Sequence, residues 1–197
     1  MSYISIDEAR NLKDTIVKYM REERYNKVVF YLDLLLDNSN EYSSEAAWDV
    51  YSFVERFCGY ISQTKKYVGH TSELIEIIEK FCDNDHYDFR SQHTMLLAIV
   101  GTMHKNFKNE DKSKKYFKQA IERIDREIKR NKTYPEPYFT KIRILGLLGG
   151  KWDEICELVE KLKMVCEIEG DYTYYNWGKE YAEDKYTKHN LSSSMPW

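Results

Sequence analysis

The chain is expected to be all-α, built from antiparallel helix pairs stacked side by side and closed by one terminal capping helix. Three observations predict this. Apolar residues recur at steps of three and four along nearly the whole length, the period of a helix face. Only 3 Pro and 8 Gly occur in 197 residues, too few breakers for many short strands. The polar turns between apolar runs are short, and short turns force neighbouring helices antiparallel. No stretch shows the alternation of a half-buried strand.

The elements follow in order. Ser5-Ile6-Asp7-Glu8 has the form of a capping box, with Ile4 and Ala9 at the positions of a hydrophobic staple. A helix follows with Ala9, Leu12, Ile16, Tyr19 and Met20 on one face. Arg21-Glu22-Glu23-Arg24 turns the chain into a second helix carrying Tyr25, Val28, Val29, Leu32 and Leu35. Asp37-Asn38-Ser39-Asn40 stops it. Ser43 or Ser44 starts a third helix with the stripe Ala47, Tyr51, Val54, Cys58, Ile61. A second stripe, Val50, Phe53, Phe57, Tyr60, implies cover on more than one face. After a longer connection from Thr64 to His70, Thr71 or Ser72 caps a fourth helix with Leu74, Ile75, Ile78, Phe81 and Cys82. Asp83-Asn84-Asp85 ends it.

The fifth helix is expected from about Asp88 to Lys105, with Leu96, Ile99, Val100 and Met103 inward. A turn at Asn109-Glu110-Asp111 leads to a long sixth helix with Tyr116, Phe117, Ala120, Ile121, Ile124 and Ile128. Pro135 and Pro137 mark the start of a seventh, since proline is tolerated in a first helical turn. Gly149-Gly150 ends it. The eighth runs from Trp152 to about Ile168 with Ile155, Leu158, Val159 and Leu162 inward. Gly170-Asp171 precedes a ninth over 173–186. The helix pairs are therefore about 5–37, 43–83, 88–131 and 135–168. They form one domain over 1–187, and 188–197 is a flexible tail.

Composition narrows the function. With 42% hydrophobic and 32% charged residues, the chain reads as a soluble folded domain. A net charge of −3 gives no global attraction to nucleic acid or to an anionic membrane. No apolar run approaches the ~18 residues of a membrane span. MSYISIDEAR lacks the basic start and apolar run of a secretory signal. Cys58, Cys82, Cys156 and Cys166 do not form a disulfide framework, so reduced thiols and a cytoplasmic location are expected.

The helix pairs resemble tetratricopeptide (TPR) repeats. In the third pair Leu97, Val100 and Gly101 match the first-helix pattern, and Ser113, Phe117 and Ala120 the second. Tyr19, Tyr25, Val28, Leu32 and Leu35 match in the first pair. In the fourth, Phe139, Ile142, Trp152, Ile155, Val159 and Leu162 match, so GLLGGKWDEICELVEKL resembles an inter-helix turn and second helix with Trp152 in the aromatic slot. The pattern is degenerate: Val28, Ile155 and Leu162 stand where small residues are usual, and the units are spaced more widely than the family's ~34 residues.

The resemblance implies a short right-handed α-solenoid that binds a protein or peptide on the concave face of its first helices. By register, that face carries Arg10, Lys13, Val17, Arg21, Phe53, Arg56 and Lys105. An adaptor, a scaffold or a small inhibitor of immunity type would fit, with no catalytic activity and no cofactor. Carboxylate-clamp binding of chaperone tails is not expected. Val17 stands where the clamp has asparagine and cannot donate a hydrogen bond, and TMLLAIVGTMHK lacks the clamp's basic pair.

Other constellations suggest other chemistry. Cys82, Asp83, Asp85, His86 and His93 could ligate zinc, or be a core thiol beside a capped turn. Glu154-x-x-Glu157 and Glu180-x-x-Glu183 resemble the paired helical carboxylates of all-α nucleotide pyrophosphohydrolases. With Glu160 they equally form the outer stripe of an amphipathic helix. KNEDKSKKYFKQAIERIDREIKRNK, 108–132, could touch RNA, yet Glu110, Asp111, Glu122, Asp125 and Glu127 supply partners at helical spacing. The aromatic tract 171–186 could be an interface or the capping helix that repeats require. No nucleophile triad is apparent. Gly149-Gly150 follows a helix rather than a strand, so it is no phosphate cradle.

Overall fold

The structure, a computed structural model, describes residues 4–37, 42–63, 70–82 and 90–187. Among these the chain is all-helical: α1 (Ile6–Arg21), α2 (Tyr25–Asp37), α3 (Ser44–Gln63), α4 (Thr71–Cys82), α5 (Arg90–Asn106), α6 (Glu110–Arg130), α7 (Pro135–Leu148), α8 (Trp152–Glu169) and α9 (Thr173–Thr187). The only extended pairing among the described residues is one isolated parallel bridge between Ile4 and Tyr42. Residues 1–3, 38–41, 64–69, 83–89 and the tail 188–197 fall outside them. Two compact units result, Met1–Lys114 and Lys115–Trp197, and the division falls within α6.

In the first unit α1 packs on α2 and α3, α3 packs on α5, and α4 meets α2 and α5. The odd helices therefore run consecutively, and α3 makes its main contacts with them rather than with α4. Sequence explains the starts. Ser5 and Glu8 form the full capping box: the Glu8 carboxylate accepts from the Ser5 backbone N–H at 2.8 Å, and Ser5 Oγ accepts from the Glu8 N–H at 3.3 Å. Ser43 Oγ caps the Ala46 N–H, so α3 begins at Ser44. All five residues of the first α3 stripe are buried, but in the second Phe53 is only half-buried and Tyr60 is exposed. Every residue from His93 to Gly101 is buried. A helix covered all round must lie inside its unit.

One turn differs from expectation. Glu110 and Asp111 belong to the first turn of α6, not to the connection. Carboxylates there oppose the positive end of the helix dipole, and Asn109 Oδ1 accepts from the Lys112 N–H. The reversal lies one step earlier, with Lys108 in the left-handed region at φ 59°. Likewise Glu23, at φ 56°, turns the chain between α1 and α2.

In the second unit α7, α8 and α9 pack on one another. Pro135 occupies the first turn of α7. Gly149, at φ 75°, closes that helix, and Gly150 N–H donates to the Leu145 carbonyl at 2.8 Å. Their core includes Ile142, Leu145, Ile155, Val159, Leu162 and Ala182, with Ile121 and Ile128 of α6 against it. Of the four cysteines, none is in a disulfide; Cys58, Cys82 and Cys166 are buried and Cys156 is half-buried. Burial pushes the Cys58 and Cys166 thiols up from their ordinary pKa.

Close approach fixes α9 on α7. A Cβ on Gly146 would stand 2.8 Å from the Tyr181 ring, and Tyr181 O–H is itself tied to the Arg143 carbonyl at 3.3 Å. Gly146→Ala gains about 1 kcal/mol of helix propensity but overpacks a pinned ring, at a cost of about 1–3 kcal/mol. The expected outcome in urea unfolding is net destabilisation. In a Tyr181→Leu background the same substitution is expected to stabilise, a change of sign that additivity forbids.

The capping box gives a pH-dependent outcome. Hydrogen bonds from the Ser5 backbone and side chain hold the Glu8 carboxyl below its ordinary pKa. A carboxyl lowered in the folded state lends stability at neutral pH and loses it as pH falls through that lowered value. In Ser5→Ala, the Glu8 titration followed by NMR is expected to rise towards the ordinary glutamate value.

Candidate functional site

Arg10, Lys13, Val17 and Arg21 are spaced by three, four and four residues, which sets them along one flank of α1. Asp49, Phe53 and Arg56, spaced by four and three, lie along one flank of α3. A salt bridge joins these flanks: Lys13 Nζ donates to Asp49 Oδ2, with side-chain exposures of 13% and 21%. Lys13 is therefore held inside the protein's own contact. It sets the α1–α3 spacing instead of reaching towards a partner.

The remaining predicted residues present themselves differently. Arg10 is exposed, 3.8 Å from Asp7 in the same helix turn. Arg56 is exposed and its Nε donates to the Ser52 carbonyl. Arg21 is exposed, Val17 is half-buried, and the half-buried Phe53 ring stacks on Phe57 at 6.1 Å. Six of the seven residues thus lie on α1 and α3, the two helices that the salt bridge joins. Lys105 is exposed in the last turn of α5. Among the described residues, no ion pair or side-chain hydrogen bond ties it to the other six.

A polar network around the buried His104 was not legible in the sequence. His104 Nε2 lies 2.7 Å from Glu79 Oε1, and Lys112 Nζ donates to both Glu79 oxygens at 3.1 and 3.0 Å. His104 is buried and the Glu79 side chain only 15% exposed. The three residues tie α4, α5 and the start of α6 together. Glu79 is 25 and 33 residues from its partners, so no local pattern announces the contact.

The cysteine–histidine cluster is placed only in part. Cys82 and His93 are both buried, with His93 Nδ1 3.5 Å from the Tyr51 hydroxyl. Asp83, Asp85 and His86 lie outside the described residues. Glu154, Glu157 and Glu180 are exposed, and Glu183 is 3.9 Å from Lys179. Among the described residues no group of three or more His, Cys, Asp or Glu side chains could hold a metal ion. Burial, then the carboxylates of Asp153 and Glu160, push the Cys156 thiol up from its ordinary pKa. A protonated thiol is a weak nucleophile and a weak metal ligand.

Three of the basic residues of the 108–132 stretch pair within it, which leaves it net basic. Lys114 lies near Glu110, Lys118 near Glu122 and Arg123 near Glu127, all at about one helical turn, and Lys141 of α7 reaches Asp125 at 2.8 Å. In the aromatic tract Phe139, Tyr174 and Trp177 form a mutual cluster with centroids 5.5–6.0 Å apart. Tyr172 and Trp177 are exposed; Tyr174, Tyr175 and Tyr181 lie against the core. The Tyr186 side chain is outside the described residues.

No family model, curated protein or solved structure matches this chain. Among the described residues no helix is long and apolar enough to cross a membrane.

The ion pair gives a measurable contrast. Breaking it leaves Asp49 in a largely buried setting, and Lys13→Ala is expected to lower stability by about 1–3 kcal/mol, between the surface and buried limits. Arg10→Ala removes only an exposed, loose pair and is expected to cost less than about 0.5 kcal/mol. Urea midpoints of the two variants measure the difference.

Proposed function

We propose that the protein is a non-catalytic interaction module, an adaptor, scaffold or small inhibitor that holds a segment of another protein. On this reading the first unit belongs to a short TPR-like right-handed α-solenoid, with α1, α3 and α5 as its first helices. The consecutive packing of the odd helices supports that arrangement. The observation that carries the functional reading is the Lys13–Asp49 salt bridge. It aligns flanks bearing Arg10, Arg21 and Arg56 around Val17 and Phe53. Guanidinium groups pair with carboxylates in fixed, often bidentate geometry, and a small apolar strip selects an aliphatic or aromatic side chain between them. The bound segment is therefore acidic with apolar anchors. The reading requires no cofactor and places the protein in the cytoplasm.

Affinity capture from a lysate of the native host tests this. One bait is the wild-type chain and the other carries Arg10→Glu, Arg21→Glu and Arg56→Glu. Lys13 is left alone because reversing it would break the fold's own contact. The expected result is one protein recovered by wild type and lost by the variant, with both baits melting at the same temperature. Recovery by both baits, or by neither, removes the α1–α3 face from consideration.

A further inference from the structure

α8 fills its inner face from Ile155 to Cys166 and still carries large apolar side chains on its solvent side. Met164 and Ile168 are 62% and 70% exposed, more than any other large apolar side chain among the described residues. They are not scattered. Trp152, Cys156, Glu160, Met164 and Ile168 follow at steps of four, a row that winds across the helix surface. An open groove runs along it, lined by Trp152, Cys156 and Met164 and edged by three acids, Asp153, Glu157 and Glu160, against one lysine, Lys161. The raised thiol pKa of Cys156 keeps that side chain neutral, so it adds apolar surface to the row.

The charge on this helix is lopsided. WDEICELVEKLKMVCEIE holds six acids against two lysines, an excess of four negative charges, larger than the net −3 of the whole chain. One of the lysines, Lys161, is already near Glu157 at 3.8 Å. Rows at steps of four are the ridges that a second helix engages when it crosses at about −50°.

We propose that this face of α8 docks a basic amphipathic helix of a partner protein. Its apolar side seats on Trp152, Cys156, Met164 and Ile168, and its lysines or arginines meet Asp153, Glu157 and Glu160. Charge complementarity selects this occupant: an acidic segment, a phosphate backbone or an anionic lipid surface would meet like charge. A second copy of the chain is a poorer fit. Pairing α8 with α8 would oppose two acidic faces, and the basic α6 exposes no large apolar side chain to act as anchor. This surface is built from other residues than the α1–α3 flanks and does not depend on their role.

Fluorescence anisotropy with a labelled synthetic Leu/Lys amphipathic helix tests the proposal, with a Leu/Glu helix of the same pattern as control. Wild type is expected to bind the Leu/Lys helix saturably, more weakly as salt rises, and not to bind the control. Met164→Glu with Ile168→Glu, and separately Glu157→Lys with Glu160→Lys, are each expected to weaken binding by about tenfold or more. All four positions are exposed, and unchanged melting temperatures would show that the variants fold. Absence of saturable binding, equal binding of the control, or unchanged binding by both folded variants overturns the proposal. So does a wild-type dimer in sedimentation that Met164→Glu turns into a monomer, since a second copy would then occupy the face.

Discussion

One salt bridge, Lys13 to Asp49, joins α1 to α3 across 36 residues of sequence. Coulomb attraction between half-buried charges is several times stronger than in bulk water, but desolvation cancels much of it. The net gain in stability is therefore modest. Its larger effect is geometric. Apolar packing is non-directional and by itself sets the rotation of a helix about its axis only loosely. A point-to-point contact between two charges removes that freedom. Lys13 of α1 and Asp49 of α3 are thereby held face to face.

Much of the helical architecture was legible in the sequence, for a local reason. A helix face repeats every three or four residues, so the α3 stripe Ala47, Tyr51, Val54, Cys58, Ile61 could be read without any tertiary knowledge, and it is buried throughout. Breakers were legible too: Pro135 and Gly149 bound α7 because one fixes φ and the other permits positive φ. The start of α6 was misplaced because acids in a first helical turn look like the polar residues of a connection. The site divides in the same way. Positions along the α1 and α3 flanks follow from helical register. The partner of Lys13, 36 residues away, does not, nor does the Glu79–His104–Lys112 network. Those contacts exist only once the helices meet.

The same division bears on chemistry. Helical carboxylates at steps of three and four suit a metal site, a salt-bridged surface or a docking rim, and spacing alone cannot separate these. On α8 the surroundings support the docking rim proposed above. The acids line a groove with Trp152, Lys161 and Met164, and burial raises the pKa of Cys156 among them. Charge beside exposed apolar surface is a common arrangement in protein recognition, where the centre of a contact is apolar and its rim polar.

The buried thiols have a use that follows from their placement. Cys58 and Cys82 lie in the first unit and Cys166 in the second, each covered and none disulfide-bonded. A thiol reagent reaches such a group only when the surrounding helices separate, so its labelling rate reports a local opening equilibrium. The chain thus contains its own clocks, at least one in each unit, and their relative rates read out whether the two halves breathe separately or as one.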